Sequence, residues 1–358
     1  MDTVSILVPT YHDMHLLAKS LPVFLEHNSH DVEVIILNND ITQDVASWLT
    51  ADLGLVPGEQ VRVVEMGSDA GFARAINRGI ALSRGEALFI CNADLFPSST
   101  YIDVMCRFFA LHPRAGIATG KILRYDLYTD SPTEVIDSTG LILSRNRRFL
   151  ARGEGSLDTD QFNEEEEVFG VDGAALFARR ATLESVSIEG EVFDESFFMY
   201  KEDWDLSWRV RLMGWECWYV PSAVAFHART SRGLGETAYL SATKSFHENE
   251  RAKPPLVRFH SLKNQWLMLV KNEDLPNLLR DFPFVLSREL TVLGYNLVFS
   301  PKTLLAVGEF VRLLPSTLAK RRTIKGRQAV TGRELRRWLD RSGAASPEPA
   351  ELTAANKA

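Results

Sequence analysis

Short apolar runs alternate with segments of helical periodicity along about the first hundred residues of the chain. The apolar runs predict four buried strands, over Val4–Val8, Glu33–Leu37, Val61–Val64 and Ala87–Cys91. Between them, apolar residues recur at the spacing of one helix face, which predicts helices over His15–His27, Gln43–Leu53 and Phe72–Ser83. Because strands and helices in this order form parallel sheets flanked by helices, we predict an α/β fold with a doubly wound sheet.

The pattern changes after this part of the chain. Residues 116–227 are mixed, with strands predicted over Gly116–Thr119, Val135–Leu143, Val168–Ala178 and Cys217–Val220 and a helix over Glu202–Met213. Residues 228–255 are polar, end in two prolines and predict a mobile loop or lid. Helical periodicity returns over 256–341, mainly in Leu275–Phe299 and Leu304–Leu318, and 342–358 predict a disordered tail. We therefore expect a body of residues 1–227, followed by the loop, a helical region and the tail.

Charge is divided unevenly along the 358 residues. The net charge is −7, but residues 1–255 hold 38 acidic and 23 basic side chains, whereas 256–341 hold 16 basic and 7 acidic ones. This split predicts an acidic body and a basic amphipathic region that meets an anionic membrane surface. The alternative is an ordinary helical subdomain with a basic solvated face. Nucleic acid is not an expected partner, because aromatic residues do not interleave with the basic cluster.

The cysteines and the termini restrict the class of protein. Cys91, Cys106 and Cys217 are too few for a disulfide framework and none forms a CxxC pair, so we expect buried thiols. The N-terminal residues show no basic stretch followed by an apolar one, and no apolar run reaches 18 residues. These features predict a cytoplasmic protein.

Polar residues follow the predicted strands, where parallel sheets bind their ligands. Neither GxGxxG nor GxxxxGK[ST] is present, which disfavours classical dehydrogenases and P-loop enzymes. Asp94 comes directly after the strand ending at Cys91, and its carboxylate suits a hard cation such as Mg²⁺. The alternative for Asp94 is an ordinary loop residue, and His227 is by itself either a structural residue or a metal ligand.

Several carboxylates surround the start of the helix predicted at Glu202. Helical spacing pairs Asp205 with Arg209 on one face. Asp203 lies near the positive end of the helix dipole, which is expected to keep it ionised and able to accept a proton at neutral pH. The alternative is that these acids only cap the helix.

In their order along the chain, these segments resemble the inverting family 2 glycosyltransferases, and especially rhamnosyltransferase-like members. The matching segments are VSILVPTY (4–11), VIILNND (34–40), GFARAINRGI (71–80), FICNADLFPS (89–98), VDGAALFARR (171–180), FDESFFMYKEDWDLSWRVRLMGW (193–215) and YVPSAVAFH (219–227). The resemblance implies a GT-A, Rossmann-like fold: a mixed, mainly parallel sheet flanked by helices, here with a C-terminal helical extension.

The resemblance also implies a role for each matching position. A nucleotide-sugar donor would contact Thr10, Asn38, Asp69, Gly71, Arg74, Asn77, Asn92 and Asp94. Asp94, the last residue of an Asn-Ala-Asp variant of the family's Asp-x-Asp motif, would bind Mg²⁺ or Mn²⁺ together with His227. Asp203 of the Glu202-Asp203 pair would be the catalytic base, and we expect Trp204 and Arg209 to contact the acceptor.

The expected function is metal-dependent, inverting transfer of a sugar from a dTDP- or UDP-linked donor to a saccharide or lipid-linked acceptor. Rhamnose is the expected sugar, cell-surface glycan synthesis the expected purpose, and the inner face of the plasma membrane the expected location. Two alternatives remain. A nucleotidyltransferase would need a phosphate-binding loop after the first strand, which PTYHDMH lacks. A non-catalytic nucleotide-sugar-binding protein would not need the Glu202-Asp203 pair, which is intact.

Overall fold

A computed structural model describes residues 1–26, 30–58, 60–229, 250–251 and 253–340 of the chain. The predicted tail 342–358 and most of the predicted loop 228–255 therefore lie outside the described residues. The strands are β1 (Thr3–Thr10), β2 (Asp31–Asn38), β3 (Val61–Glu65), β4 (Ala87–Cys91), β5 (Leu95–Pro97), β6 (Ala115–Asp126), β7 (Ser131–Ser138), β8 (Leu141–Leu143), β9 (Phe149–Ala151), β10 (Glu166–Glu167), β11 (Ala175–Arg179) and β12 (Glu216–His227).

Helices cover both faces of the sheet and form the C-terminal region. They are α1 (Met14–Leu25), α2 (Val45–Leu53), α3 (Gly71–Leu82), α4 (Tyr101–Leu111), α5 (Arg180–Val186), α6 (Glu202–Leu212), α7 (Pro255–Asn272), α8 (Leu275–Phe299), α9 (Leu305–Arg327) and α10 (Gly332–Asp340). Within the described residues, no helix combines the length and the apolar character needed to span a bilayer.

The sheet is mixed and mainly parallel, as predicted. Its order is β10-β12-β6-β11-β4-β1-β2-β3, with β5 beside β12 and β7 beside β6, while β8 and β9 form a separate ribbon. The pairs β1–β2, β2–β3, β1–β4 and β6–β12 are parallel, and β11 runs antiparallel between β4 and β6. The carboxyl ends of β1, β2, β4 and β12 consequently lie along one edge, where ligands bind in such folds.

Two strands have boundaries in the structure that differ from those predicted from the sequence. The expected strand Val135–Leu143 is divided into β7 and β8 by Gly140, whose φ of +106° lies in a region that only glycine adopts readily. The expected strand Val168–Ala178 is regular only from Ala175, because residues 168–174 form a loop instead. This loop contributes to the site described below.

The C-terminal helices share a hydrophobic core with the body. Leu267 and Met268 of α7, Ile324 of α9 and Trp338 of α10 are buried in one cluster with apolar residues of the body, including Phe197 and Trp208. Burial of apolar side chains is the main stabilising contribution to a folded domain. Side chains from both sides of the boundary predicted between residues 227 and 256 therefore pack into the same core.

Some basic residues of the C-terminal region form ion pairs with acidic residues of the body inside the molecule. The ammonium group of Lys271 on α7 is buried beside Asp194 and lies 2.9 Å from the carboxylate of Asp205. Lys320 on α9 lies 2.7 Å from Asp194 and 2.9 Å from Glu191. These cations hold the pKa of Asp194 below its usual range despite its burial. These two lysines therefore bind the acidic body, and the predicted contact with an anionic surface depends on the other basic residues of the region.

Candidate active site

Two of the predicted donor-binding residues lie side by side at the carboxyl edge of the sheet. Thr10 and Asn38 are in register at the ends of the parallel strands β1 and β2. The Asn38 amide is fixed, because it donates to Gln43 O at 2.9 Å and to Glu65 Oε2 at 2.8 Å. The Thr10 hydroxyl is buried and has no hydrogen-bond partner within the described part of the chain. A buried hydroxyl without a partner costs free energy, so Thr10 is suited to bind a polar ligand atom.

Asp94 and His227 come together at the same edge. Nε2 of His227, at the end of β12, lies 3.2 Å from Oδ1 of Asp94. Nδ1 of the same imidazole lies 2.9 Å from Oδ2 of Asp137. Burial disfavours a charged imidazole, but Asp94 and Asp137 outweigh this and raise the pKa of His227 to about 10. Without a cation, the protonated histidine therefore links the two carboxylates.

The donor atoms of this cluster fit a divalent cation. A carboxylate oxygen and an imidazole nitrogen face each other, and Asp137 fixes which imidazole nitrogen is directed towards Asp94. Within the described residues, no group of three or more histidine, cysteine or acidic side chains is arranged to bind a metal alone. Mg²⁺ and Mn²⁺ sites on nucleotides commonly use one or two carboxylates and complete the coordination with phosphate and water. The pair Asp94 and His227 therefore suits a cation that arrives with a diphosphate.

Two acids beyond the predicted set make this edge more negative. Asp13 follows β1, and burial together with the nearby Asp94 and Asp40 carboxylates raises its pKa to about 7. Asp40 follows β2 and lies 2.6 Å from Nδ1 of His12. Both positions follow the carboxyl end of a predicted strand, so their place in the sequence is a signal that could have identified them.

Asp203 occupies the first turn of α6 and accepts two backbone hydrogen bonds. Gly173 N donates to its Oδ2 at 3.0 Å, and Trp204 N donates to its Oδ1 at 2.9 Å. Burial and the neighbouring Asp172 carboxylate nevertheless raise the pKa of Asp203 to about 7. The expectation that the helix dipole keeps Asp203 fully ionised at neutral pH is therefore wrong, because burial and Asp172 outweigh the dipole.

Glu202 has a different environment from its neighbour. Its side chain is buried, and its Oε2 atom has no hydrogen-bond partner among the described residues. Burial and the Asp203 carboxylate raise the pKa of Glu202 well above its usual range. Two adjacent carboxyl groups whose pKa values are set by different surroundings are typical of sites of acid–base catalysis.

The loop over residues 172–174 connects the two halves of the site. Ala174 O accepts a hydrogen bond of 3.2 Å from the backbone of Asn92, beside Asp94, while Gly173 N donates to Asp203. An antiparallel strand, β11, begins directly after this loop, adjacent to β4. The loop therefore links the predicted base, through Gly173 and Ala174, to Asn92, which lies two residues before Asp94 and is distant from Asp203 in sequence.

The turn before α6 has an unusual backbone that the sequence did not predict. Phe198, Tyr200 and Lys201 have φ angles of 65°, 67° and 73°, which are costly for residues other than glycine. Asn264 of α7 is fully buried, and its side-chain amide donates to the carbonyl oxygens of Phe197, Met199 and Tyr200 at 2.7–3.0 Å. The extension thus supports the turn that presents Glu202 and Asp203.

Several residues predicted to bind the donor contact the segment that precedes and enters this turn. Asn77 of α3 donates to Phe193 O at 2.8 Å and accepts from the backbone of residues 192 and 193. Arg74 lies 2.9 Å from Glu195. A Cβ atom on Gly71 would lie 2.5 Å from Phe198 O, so glycine is required by close packing. Asp69 accepts a hydrogen bond from Gly71 N at 3.1 Å. The contacts of Asn77 and Gly71 therefore hold residues 192–198, and their binding of the donor stays a prediction.

The two predicted acceptor residues have different positions. Trp204 is partly exposed and stacks on Phe149, with ring centroids 4.8 Å apart. Arg209 is 1% exposed and forms the predicted ion pair with Asp205 at 2.9 Å. Its guanidinium also donates to Val186 O and Val192 O. The prediction that Arg209 contacts the acceptor is therefore wrong, because its donors are used inside the protein.

Solved structures show the same fold. The chain superposes on residues 1–349 of S. aureus TarS in complex with UDP-GlcNAc with a TM-score of 0.50 and 12% identity, covering 96% of this chain and 92% of that one. Against GalNAc-T7 with UDP, GalNAc and Mn²⁺, the TM-score is 0.51 with 10% identity, and 76% of this chain and 48% of that chain are covered. These likenesses confirm the predicted GT-A fold.

Sequence comparisons give the family. A Mycobacterium tuberculosis N-acetylglucosaminyl-diphospho-decaprenol L-rhamnosyltransferase is 28% identical over 232 residues, which cover 56% of this chain and 73% of that protein. The model of the family described as "Glycosyltransferase like family 2" matches residues 2–246, more than half of the chain. The chain therefore belongs to glycosyltransferase family 2 and is a glycosyltransferase.

Proposed function

We propose that this glycosyltransferase moves rhamnose from a dTDP-linked donor to a lipid-linked saccharide, with inversion and with the help of a divalent cation. The main support for this chemistry is the loop 172–174, which connects Asp203 to the segment after β4 that contains Asp94. The pKa of Asp203 is about 7, which suits a base at neutral pH. The choice of sugar and acceptor is supported by the relative named above. UDP is the second candidate nucleotide.

In the proposed reaction, Asp203 accepts the proton of the acceptor hydroxyl as that oxygen attacks the anomeric carbon. A single displacement from the opposite face inverts the configuration, and the enzyme supplies no nucleophile. Thr10 and Asn38 would contact the nucleoside, while Trp204 would offer its exposed ring surface to the acceptor. Asp94 and His227 would hold Mg²⁺ or Mn²⁺, which, when bound, stabilises the negative charge of the leaving diphosphate.

A lipid-linked acceptor implies that the enzyme works at a membrane surface. We include this peripheral association, at the inner face of the plasma membrane and in the synthesis of cell-surface glycans, in the proposal. It is supported by the exposed cations of the C-terminal region that take no part in the internal ion pairs, among them Arg280 and Lys302. Basic residues near anionic lipid contribute on the order of 1 kcal/mol each to binding.

A donor screen tests this function and its metal dependence together. We expect dTDP-rhamnose to raise the melting temperature more than UDP- or GDP-sugars, and to do so mainly with Mn²⁺, because cation and diphosphate complete each other's coordination. The variant Asp94→Ala should lose the Mn²⁺-dependent part of the shift. The control variant Asp52→Ala, at an exposed site on α2, should keep it.

Two results, one from donor binding and one from a transfer assay with saccharide acceptors, would refute parts of the proposal. Equal donor affinity with and without Mn²⁺ in the wild-type chain would contradict the metal site. Donor binding without transfer to any saccharide acceptor would favour the alternative of a nucleotide-sugar-binding protein.

The raised pKa of Asp203 predicts how transfer depends on pH. Only the ionised carboxylate accepts a proton, so kcat/KM should rise as pH increases from 6 to 8, with a midpoint near the Asp203 pKa of about 7 in the free enzyme. Initial rates at low concentrations of donor and acceptor measure this profile. Melting temperatures at each pH show that the protein remains folded. A kcat/KM that is constant over this range would contradict the assignment of Asp203 as the base.

A further inference from the structure

The outward face of α8 carries a continuous apolar stripe. Leucine or phenylalanine recurs along it at the spacing of one helix face, at Leu275, Leu279, Phe282, Leu286, Leu290, Leu293 and Leu297. All of them are at least partly exposed, and Leu279, Leu290 and Leu297 are 64%, 59% and 65% exposed. At 100° per residue the seven positions fall within an arc of about 80°, and at 1.5 Å per residue the stripe is about 33 Å long.

The side of α8 that faces the protein is mainly polar, since Asn277, Asp281 and Asn296 are buried there beside Val285 and Tyr295. Asn277 donates to Gly332 O at 2.7 Å, and Glu289 accepts a hydrogen bond of 2.7 Å from Trp266 Nε1. Asp281 is fully buried and is ion-paired with Arg145, Arg147 and Arg336. A surface helix in water ordinarily has the opposite arrangement, with its apolar side against the core. The apolar face of α8 is therefore suited to an apolar environment outside the protein.

The charges around this face favour an anionic occupant. Both acidic residues of α8 are directed inward, with Asp281 fully buried and Glu289 mostly buried. Among the described residues, α8 and the turn that follows it carry two exposed cations, Arg280 and Lys302. Two copies of the chain joined along this face would bring like charges together, whereas an anionic surface would neutralise them.

The residues on the exposed side of α8 also differ from those of the seam of a helix pair. Pro283 and Gly294 lie within the helix on its exposed side, where a coiled coil favours residues that stabilise the helix.

We propose that the outward face of α8 is a membrane-docking surface that lies in the interface of an anionic lipid bilayer. The buried pairs of Asp281 hold α8 on the body, so the helix lies along the bilayer surface and inserts its leucine and phenylalanine side chains. This inference deepens the proposed function. It rests on the proposed function only in what docking would achieve, which is to bring Asp203 to an acceptor carried by lipid.

Flotation of the full-length chain tests this surface, using phosphatidylcholine vesicles with and without phosphatidylglycerol. We expect the wild-type chain to float with the anionic vesicles. The triple variant Leu279→Glu, Leu286→Glu, Leu290→Glu should reduce the floated fraction by roughly tenfold or more, because leucine burial is lost and glutamate is repelled by anionic lipid. The matched control Val56→Glu, Leu111→Glu, Tyr128→Glu adds equal charge at exposed apolar sites of the body and should float as wild type does.

Two further measurements make the outcome decisive. Equal flotation of the α8 triple variant and the wild type would overturn the proposal. So would sedimentation without lipid that shows a wild-type dimer and a monomeric triple variant, because the face would then join two copies of the chain. Flotation contains no sugar donor. A chain that floats without transferring sugar refutes only the proposed chemistry, and one that transfers sugar without floating refutes only this surface.

Discussion

The variant Asp203→Asn is expected to reduce sugar transfer by roughly 10²–10⁴-fold, the usual contribution of a general base. Asparagine preserves the size of the side chain and can keep the hydrogen bond from Gly173 N, but its amide cannot accept the acceptor proton. Thr10, Asn38 and Asp94 are unchanged, so the affinity for the nucleotide-sugar should remain within a few-fold. Single-turnover kinetics measure the transfer step, and calorimetry measures donor binding.

A control and a contrary outcome accompany this variant. Asp44 also lies at the start of a helix, where its carboxylate accepts a hydrogen bond of 2.9 Å from Ser47 N, but it belongs to α2 and takes no part in the site. Asp44→Asn should leave kcat unchanged. Turnover retained in purified Asp203→Asn would remove Asp203 from the mechanism.

The variant Asn264→Leu is expected to lower kcat by about 10²-fold although Asn264 does not belong to the catalytic pair. Its amide is the donor for three carbonyl oxygens of the turn with positive φ angles, and leucine would remove these hydrogen bonds, leaving Phe197 O with the backbone of Met199 as a donor at 2.8 Å. A relaxed turn displaces Asp203, and a displacement of about 1 Å is sufficient for a loss of this size. The free energy of unfolding should also fall by roughly 1–3 kcal/mol, as for a buried hydrogen bond left without its partner.

A second buried asparagine provides a control that distinguishes a loss of catalytic positioning from a loss of stability. Asn296 of α8 is equally buried, and its amide donates only to Val292 O of its own helix within the described residues. Asn296→Leu should lower the melting temperature but leave kcat and the pH midpoint of kcat/KM unchanged. In Asn264→Leu the pH midpoint should move as well, because the surroundings of Asp203 change. Equal kcat losses in the two variants would show that Asn264 acts through stability alone.

The sequence alone identified the alternating strands and helices of the body and the polar residues at the strand ends. These features are local, since an apolar run of five residues or a periodic helix face carries its own pattern. Asp94, Asp203 and their neighbours were found because each follows a recognisable strand or begins a recognisable helix. The ion pair of Asp205 with Arg209 was predicted for the same reason, since four residues make one helical turn.

Only the tertiary structure decided which of these residues lie close together and what electrostatic surroundings each of them has. The proximity of Gly173 to Asp203 and of Asp137 to His227 depends on strand order, which periodicity does not encode. The pKa values of Asp203 and His227 are set by burial and by carboxylates from other elements, so the dipole argument from sequence misjudged Asp203. Likewise, net charge gave the sign of the C-terminal region, but packing decided that Lys271 and Lys320 bind the body while the leucines of α8 remain exposed.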